Sequence, residues 1–186
     1  MKPTNAHILT INGGSSSIKF ALYQVGEPLK RGLEGKVDRI GLSGTNLTFH
    51  DSTKKQPESR KLAAADHKSA ANTLIDWLEK QNGFESVQAV GHRVVHGMQH
   101  TAPEVVTQPL LDELHRISPN DPDHMPREIK LIETFRCVIL AHLGNGASLA
   151  IVPHTRTWHG QRIKEFRPCD ETHLSTGSVF GWCRSP

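Results

Sequence analysis

The chain has 186 residues, 36% hydrophobic and 22% charged, with a formal net charge of +3; that is enough chain for one domain with a real core. So small a positive charge, spread along the sequence with no aromatic residues interleaved, excludes a nucleic-acid interface. The longest apolar runs are a handful of residues, far short of the roughly 20 needed to cross a bilayer. Cys137, Cys169 and Cys183 form no CxxC pair and no metal spacing with the histidines. With no secretory apolar stretch after Met1, a reduced, cytoplasmic setting is expected.

In chain order, Ile8 to Ile11 reads as a short strand that breaks at Gly13-Gly14 and a serine run. Ile18 to Val25 resumes strand character, which makes strand, glycine turn, strand a β-hairpin. Leu33 to Ile40 and Asn46 to His50 extend the same sheet, and polar Asp51 to Arg60 reads as a loop. From Asp66 to Gln81 the period becomes helical, with Leu74, Ile75 and Leu78 on one face and Asn82-Gly83 as the stop. Val87 to Val95 is a strand interrupted by Gly91. Thr107 to Ile117 is a helix with Pro109 in its first turn, and Pro126 opens another carrying Ile129, Ile132 and Phe135.

Cys137 to Leu143 is a continuous apolar run, the pattern of a strand buried on both faces. Asn145-Gly146 then suggests a tight turn into a second strand, Ala147 to Val152. This mixture of strands and helices indicates an α/β or α+β domain with a mixed sheet, over residues 1–152. Residues 153–186 lack any sustained period of 2 or 3.6 and read as an unpatterned tail.

Three motifs carry chemistry. In Asn12-Gly13-Gly14-Ser15-Ser16-Ser17-Ile18-Lys19-Phe20, glycines let backbone N–H groups approach an anion, and hydroxyls and a lysine complete a phosphate nest. The spacing is not that of a Walker A loop, and a simple Gly/Ser hairpin turn accounts for the same residues. In Gly91-His92-Arg93-Val94-Val95-His96-Gly97, an arginine on an otherwise apolar strand is costly unless paired. It is therefore a structural ion pair or a bidentate clamp for carboxylate or phosphate. In His142-Leu143-Gly144-Asn145-Gly146-Ala147-Ser148, a type I′ turn and a loop lying against nucleotide phosphates are compatible. His92, His96 and His100 recur every fourth residue, as helical zinc ligands would, but their valine and glycine neighbours favour a strand.

In this order the three motifs resemble the acetate kinase family over roughly Ile8 to Val152, and His124-Met125-Pro126 resembles that family's His-Asn-Pro segment. The resemblance implies the N-terminal half of the ribonuclease-H-like, actin-like ATPase fold shared with sugar kinases. It also implies ATP and Mg²⁺ as cofactors and acetate as the phosphoryl acceptor; propionate and butyrate are the rival acids. By position, Asn12 falls near the Mg²⁺ and phosphates and Lys19 near ATP. Arg93 falls on the acetate carboxylate or transferring phosphoryl group, and His142, Leu143, Gly144, Asn145 and Gly146 form a phosphate-binding loop. The family forms homodimers.

The departures set the expected activity. Phe135-Arg136 runs directly into Cys137-Val138, without the family's Phe-Asp-Thr-Ala-Phe-His and Arg-Tyr-Gly-Phe-His-Gly motifs and their catalytic aspartate and histidine. Losing one transition-state group can cost roughly 10²–10³ in rate, so little or no turnover is expected, and a non-catalytic remnant with weak phosphate binding is the rival. An internal deletion at 136/137 and a frameshift after about 152 would account for the pattern. Coding DNA that gives no family-like sequence in another frame past codon 152 would sink the frameshift idea.

Overall fold

The computed structural model describes residues 5–95, 100, 102–143, 147–153, 167–168 and 182–183. The chain divides into residues 1–153 and 154–186. In the second unit, β9 (Arg167–Pro168) pairs antiparallel with β10 (Trp182–Cys183). In the first, β1 (His7–Gly13) and β2 (Ile18–Gln24) form the expected hairpin, and β3 (Lys30–Asp38) and β4 (Asn46–Asp51) continue it as an antiparallel meander. After α1 (His67–Leu78), β6 (Val87–Val94) lies parallel to β1 on its other side. With β5 (Glu58–Lys61), β7 (Glu104–Val105) and β8 (Ser148–Pro153), the eight-stranded sheet runs β5-β4-β3-β2-β1-β6-β8-β7.

Ring packing seats α1 on this sheet. The register sets Ile11 beside Phe20, Phe20 beside Gly35 and Gly35 beside Phe49, so all four share one face. Trp77 of α1 packs there, 5.7 Å from the Phe20 ring and 4.6 Å from that of Phe49. Gly35 makes this possible: a Cβ on it would lie 2.6 Å from both Phe20 Cζ and the Thr48 carbonyl oxygen. The helix begins with a capping box, in which Asp66 accepts from the Ser69 N–H at 2.8 Å and Ser69 Oγ accepts from the Asp66 N–H.

Two elements differ from the sequence expectation. Within the stretch expected to be a loop, β5 (Glu58–Lys61) pairs with β4 along its outer edge. It is a polar, mostly exposed edge strand, so hydrophobic alternation could not announce it. The second difference is larger: Cys137 to Leu143 is not a strand but the last part of α3 (Met125–Leu143), a single 19-residue helix. Met125, Ile129, Ile132, Phe135 and Ile139 are each at most 1% exposed, a spacing of three and four that only a helix turns to one side. The Arg136-Cys137 bond lies inside that helix.

The strand that does follow, β8 (Ser148–Pro153), lies parallel to β6, with β7 (Glu104–Val105) antiparallel on its far side. The expected hairpin between 137–143 and 147–152 is therefore replaced by a crossover from β6 through α2 (Gln108–Ile117) and α3. Thr107 caps α2 by accepting from the Leu110 N–H at 3.3 Å. Among the described residues no helix is long and apolar enough to cross a membrane.

Candidate functional site

The parallel pairing of β1 with β6 brings two of the motifs together. Ile8 lies opposite Ala89 and Thr10 opposite Gly91, so Asn12 and Arg93 follow on the same face where the two strands end. There Arg93 Nη1 donates to Asn12 Oδ1 at 3.2 Å, across 81 residues of sequence. Both side chains are half-buried. Lys19 lies directly opposite Asn12 in the β1–β2 pair and is exposed, so it projects from the same face.

The glycine-serine turn beside them is held from two sides. The Gly14 N–H donates to the Ser17 carbonyl at 2.7 Å, closing the turn. The Gly14 carbonyl lies 3.0 Å from His67 Nε2 in the first turn of α1. A carbonyl can only accept, so this contact puts the His67 proton on Nε2. Gly13, Gly14 and Ser15 of the turn line a small recess together with His67, and with Glu128 and Leu131 of α3.

Glu128 is the unexpected member. It is 5% exposed, and its Oε2 accepts from the Val95 N–H at 3.0 Å, just past the end of β6. Its Oε1 is buried and has no hydrogen-bond partner among the described residues. Burial pushes the carboxyl above its ordinary range, opposed by the Val95 N–H and by the positive charge of Arg93. Ahead of α3, the Asp121 carboxylate accepts from His124 Nδ1 at 2.9 Å and raises the affinity of that imidazole for a proton.

His92 faces the other way from Arg93. It is buried edge-on against Phe135 at 5.3 Å between ring centroids, and desolvation drives its pKa down to about 3. It is a neutral core residue, turned away from the Asn12–Arg93 face, and His100 instead pairs with Glu104 at 2.8 Å. His96 lies outside the described residues. Of the third motif, His142 and Leu143 end α3, and Gly144, Asn145 and Gly146 lie outside the described residues.

Two contributors were not legible as site residues. Glu128 left a trace, because it stands next to Ile129 in a stripe of Met125, Ile132 and Phe135 where an apolar residue would be expected. His67 left none, since its partner is 53 residues away.

The Acetokinase family model matches residues 7–140, which includes Asn12, Lys19, Arg93 and Glu128 and stops before His142. An acetate kinase of Chromobacterium violaceum is 35% identical over 131 residues, which are 70% of this chain and 32% of that protein. A propionate kinase of Citrobacter freundii is 36% identical over 135 residues, 69% of this chain and 32% of that protein. The chain thus spans about a third of the length of these curated relatives.

Among solved structures, a propionate kinase from Francisella tularensis matches with a TM-score of 0.67 at 24% identity, over 80% of this chain and 36% of that one. Porphyromonas gingivalis acetate kinase matches with a TM-score of 0.67 at 20% identity, over 88% of this chain and 44% of that one. The fold is part of the actin-like ATPase fold. The chain belongs to the acetokinase family.

Proposed function

We propose that this chain forms the anion-binding half of an acyl-kinase cleft and does not by itself complete phosphoryl transfer. The observation that carries the proposal is the Arg93–Asn12 contact at 3.2 Å, which sets a guanidinium beside the Asn12 amide where two parallel strands end. A planar fork with five donors suits a carboxylate or a phosphoryl group, which it can hold bidentately. The Gly13 to Ser17 turn and exposed Lys19 stand beside it as a nest for nucleotide phosphates.

In the reaction assigned to the relatives, a carboxylate oxygen of acetate attacks the γ-phosphorus of ATP. An O–P bond forms as the bond to the β–γ bridging oxygen breaks, giving acetyl phosphate and ADP. Such a transfer relies on positioning and charge neutralisation, which Arg93 and Lys19 are suited to supply. The uninterrupted helix through Phe135-Arg136-Cys137-Val138 supports binding without turnover, because the resemblance places the aspartate and histidine motifs there.

The donor set fits Mg²⁺ poorly in this arrangement. Mg²⁺ favours carboxylates and substrate phosphates, whereas Asn12 Oδ1 already accepts from a guanidinium. Acetate, propionate and butyrate differ only in methylene groups, which none of these polar side chains distinguishes.

The test uses the full chain with ATP, Mg²⁺ and acetate, following acetyl phosphate formation alongside calorimetric binding of acetyl phosphate. Binding that disappears in Arg93→Ala, with no product above that variant, is the expected result. Turnover lost in the variant would show that other residues replace the aspartate and histidine, and absence of binding would remove the half-site itself.

A further inference from the structure

We infer that Glu128 is a positioning residue for Arg93: its carboxyl ties the end of β6 to α3 and, when ionised, competes with an incoming anion for the guanidinium. This rests on the anion-binding role proposed for Arg93. Three observations lead to it. Glu128 is 5% exposed in the first turn of α3, on a stripe otherwise made of Met125, Ile129, Ile132 and Phe135. One carboxyl oxygen accepts from Val95 N–H, two residues beyond Arg93. The other is buried with no hydrogen-bond partner among the described residues, and Glu128 is one of the residues that line the recess beside the glycine-serine turn.

A buried carboxyl with one satisfied and one unsatisfied oxygen is costly as a purely structural tie. A leucine at that place would complete the apolar stripe at lower cost. What the carboxyl adds is a charge that Arg93 feels. Burial favours its neutral form and Arg93 favours its ionised form, so the proton on Glu128 and the availability of the guanidinium are linked.

Among the described residues, the charged and titratable groups that act on Glu128 include Arg93 from β6 and Asp121 and His124 from the segment before α3. His67, Asp123 and Arg127 share the recess. His124 also becomes more cationic as the pH falls, so the pH profile of the native chain alone does not isolate Glu128. The ratio between Glu128→Gln and the native chain does.

Sulfate, a dianion throughout the range used, is the probe, titrated into the full chain from about pH 5 to about pH 8. Once protonated, native Glu128 resembles glutamine, so on the acid side of its titration the two chains should bind sulfate alike. As the pH rises, the native carboxylate competes for Arg93 and the variant does not. The variant should then bind more tightly, on the order of tenfold, which corresponds to about one pKa unit of coupling. A ratio that stays constant across the range overturns the inference and leaves Glu128 as a tie between strand and helix.

A second measurement does not depend on anion binding or on the stability of Glu128→Gln. The Val95 amide ¹⁵N shift should titrate with Glu128, and Arg93→Gln should move that midpoint upward by removing the charge that favours the carboxylate. An unmoved midpoint overturns the inference. A moved midpoint in a chain that binds no sulfate would uphold the Glu128–Arg93 coupling and sink the anion-binding role instead.

Discussion

The two halves of the sheet share β1 but are built by different means. On one side β1 to β5 form an antiparallel meander in which each strand pairs with its neighbour in sequence. On the other side β1, β6 and β8 lie parallel and are joined through helices, so every pairing is long-range. The antiparallel half supplies a turn and a lysine; the parallel half supplies the arginine and the buried glutamate. The candidate site exists only at their seam, where Asn12 meets Arg93.

Four perturbations test that contrast. The largest effect is expected in acid, on the parallel half. His92 is buried with its pKa lowered from 6.5 to about 3, so the unfolded chain takes up a proton that the folded one refuses. Stability from this group is complete above about pH 6.5 and is lost as the pH falls toward about 3, a loss on the order of several kcal/mol. Urea denaturation of His92→Leu against pH should show a flatter acid limb than the native chain. Identical limbs would mean that His92 is not the residue that charges on unfolding.

Phe135→Ala comes next. It removes the ring that α3 sets against His92 and should cost about 3–5 kcal/mol in urea denaturation. Amide exchange then sharpens the comparison, because β6 and β8 should lose protection before β2 to β4 do. Equal loss in all strands would mean that the halves unfold as one. On the antiparallel side, Gly35→Ala would force a Cβ against Phe20 and the Thr48 carbonyl, for a destabilisation of about 1–3 kcal/mol. The smallest effect belongs to Thr107→Ala, which loses the cap of α2 at about 1 kcal/mol, measured as a shift in denaturation midpoint at constant slope.

Legibility follows the same division. The hairpin of β1 and β2 and the helices α1 and α2 could be read from period, a glycine break and a first-turn proline, because each depends on residues close in sequence, although α1 ends at Leu78, before the Asn82-Gly83 stop. The second half of α3 could not. The stretch Cys137 to Leu143, apolar except for His142, satisfies a buried strand and a buried helix equally. What decides is that Ile139 continues the stripe of Ile132 and Phe135, while β8 takes the place beside β6.

For the site, Asn12, Lys19 and Arg93 could be named from their motifs, but not the contact between Asn12 and Arg93, which is fixed by strand register. His67 escaped because its function is to hold a carbonyl of a distant turn. Glu128 was visible only as a carboxylate on an apolar stripe, and its meaning required the position of Val95.

In the proposed reading, Asn12 and Arg93 act as one anion-binding unit at the seam of the two halves. A double-mutant cycle tests it most directly: acetyl phosphate affinity measured by calorimetry for the native chain, Asn12→Ala, Arg93→Ala and the double variant. Asn12→Ala should weaken binding in the native background but add almost nothing once Arg93 is gone. Additive losses would show that the two residues act independently, and the unit would not exist.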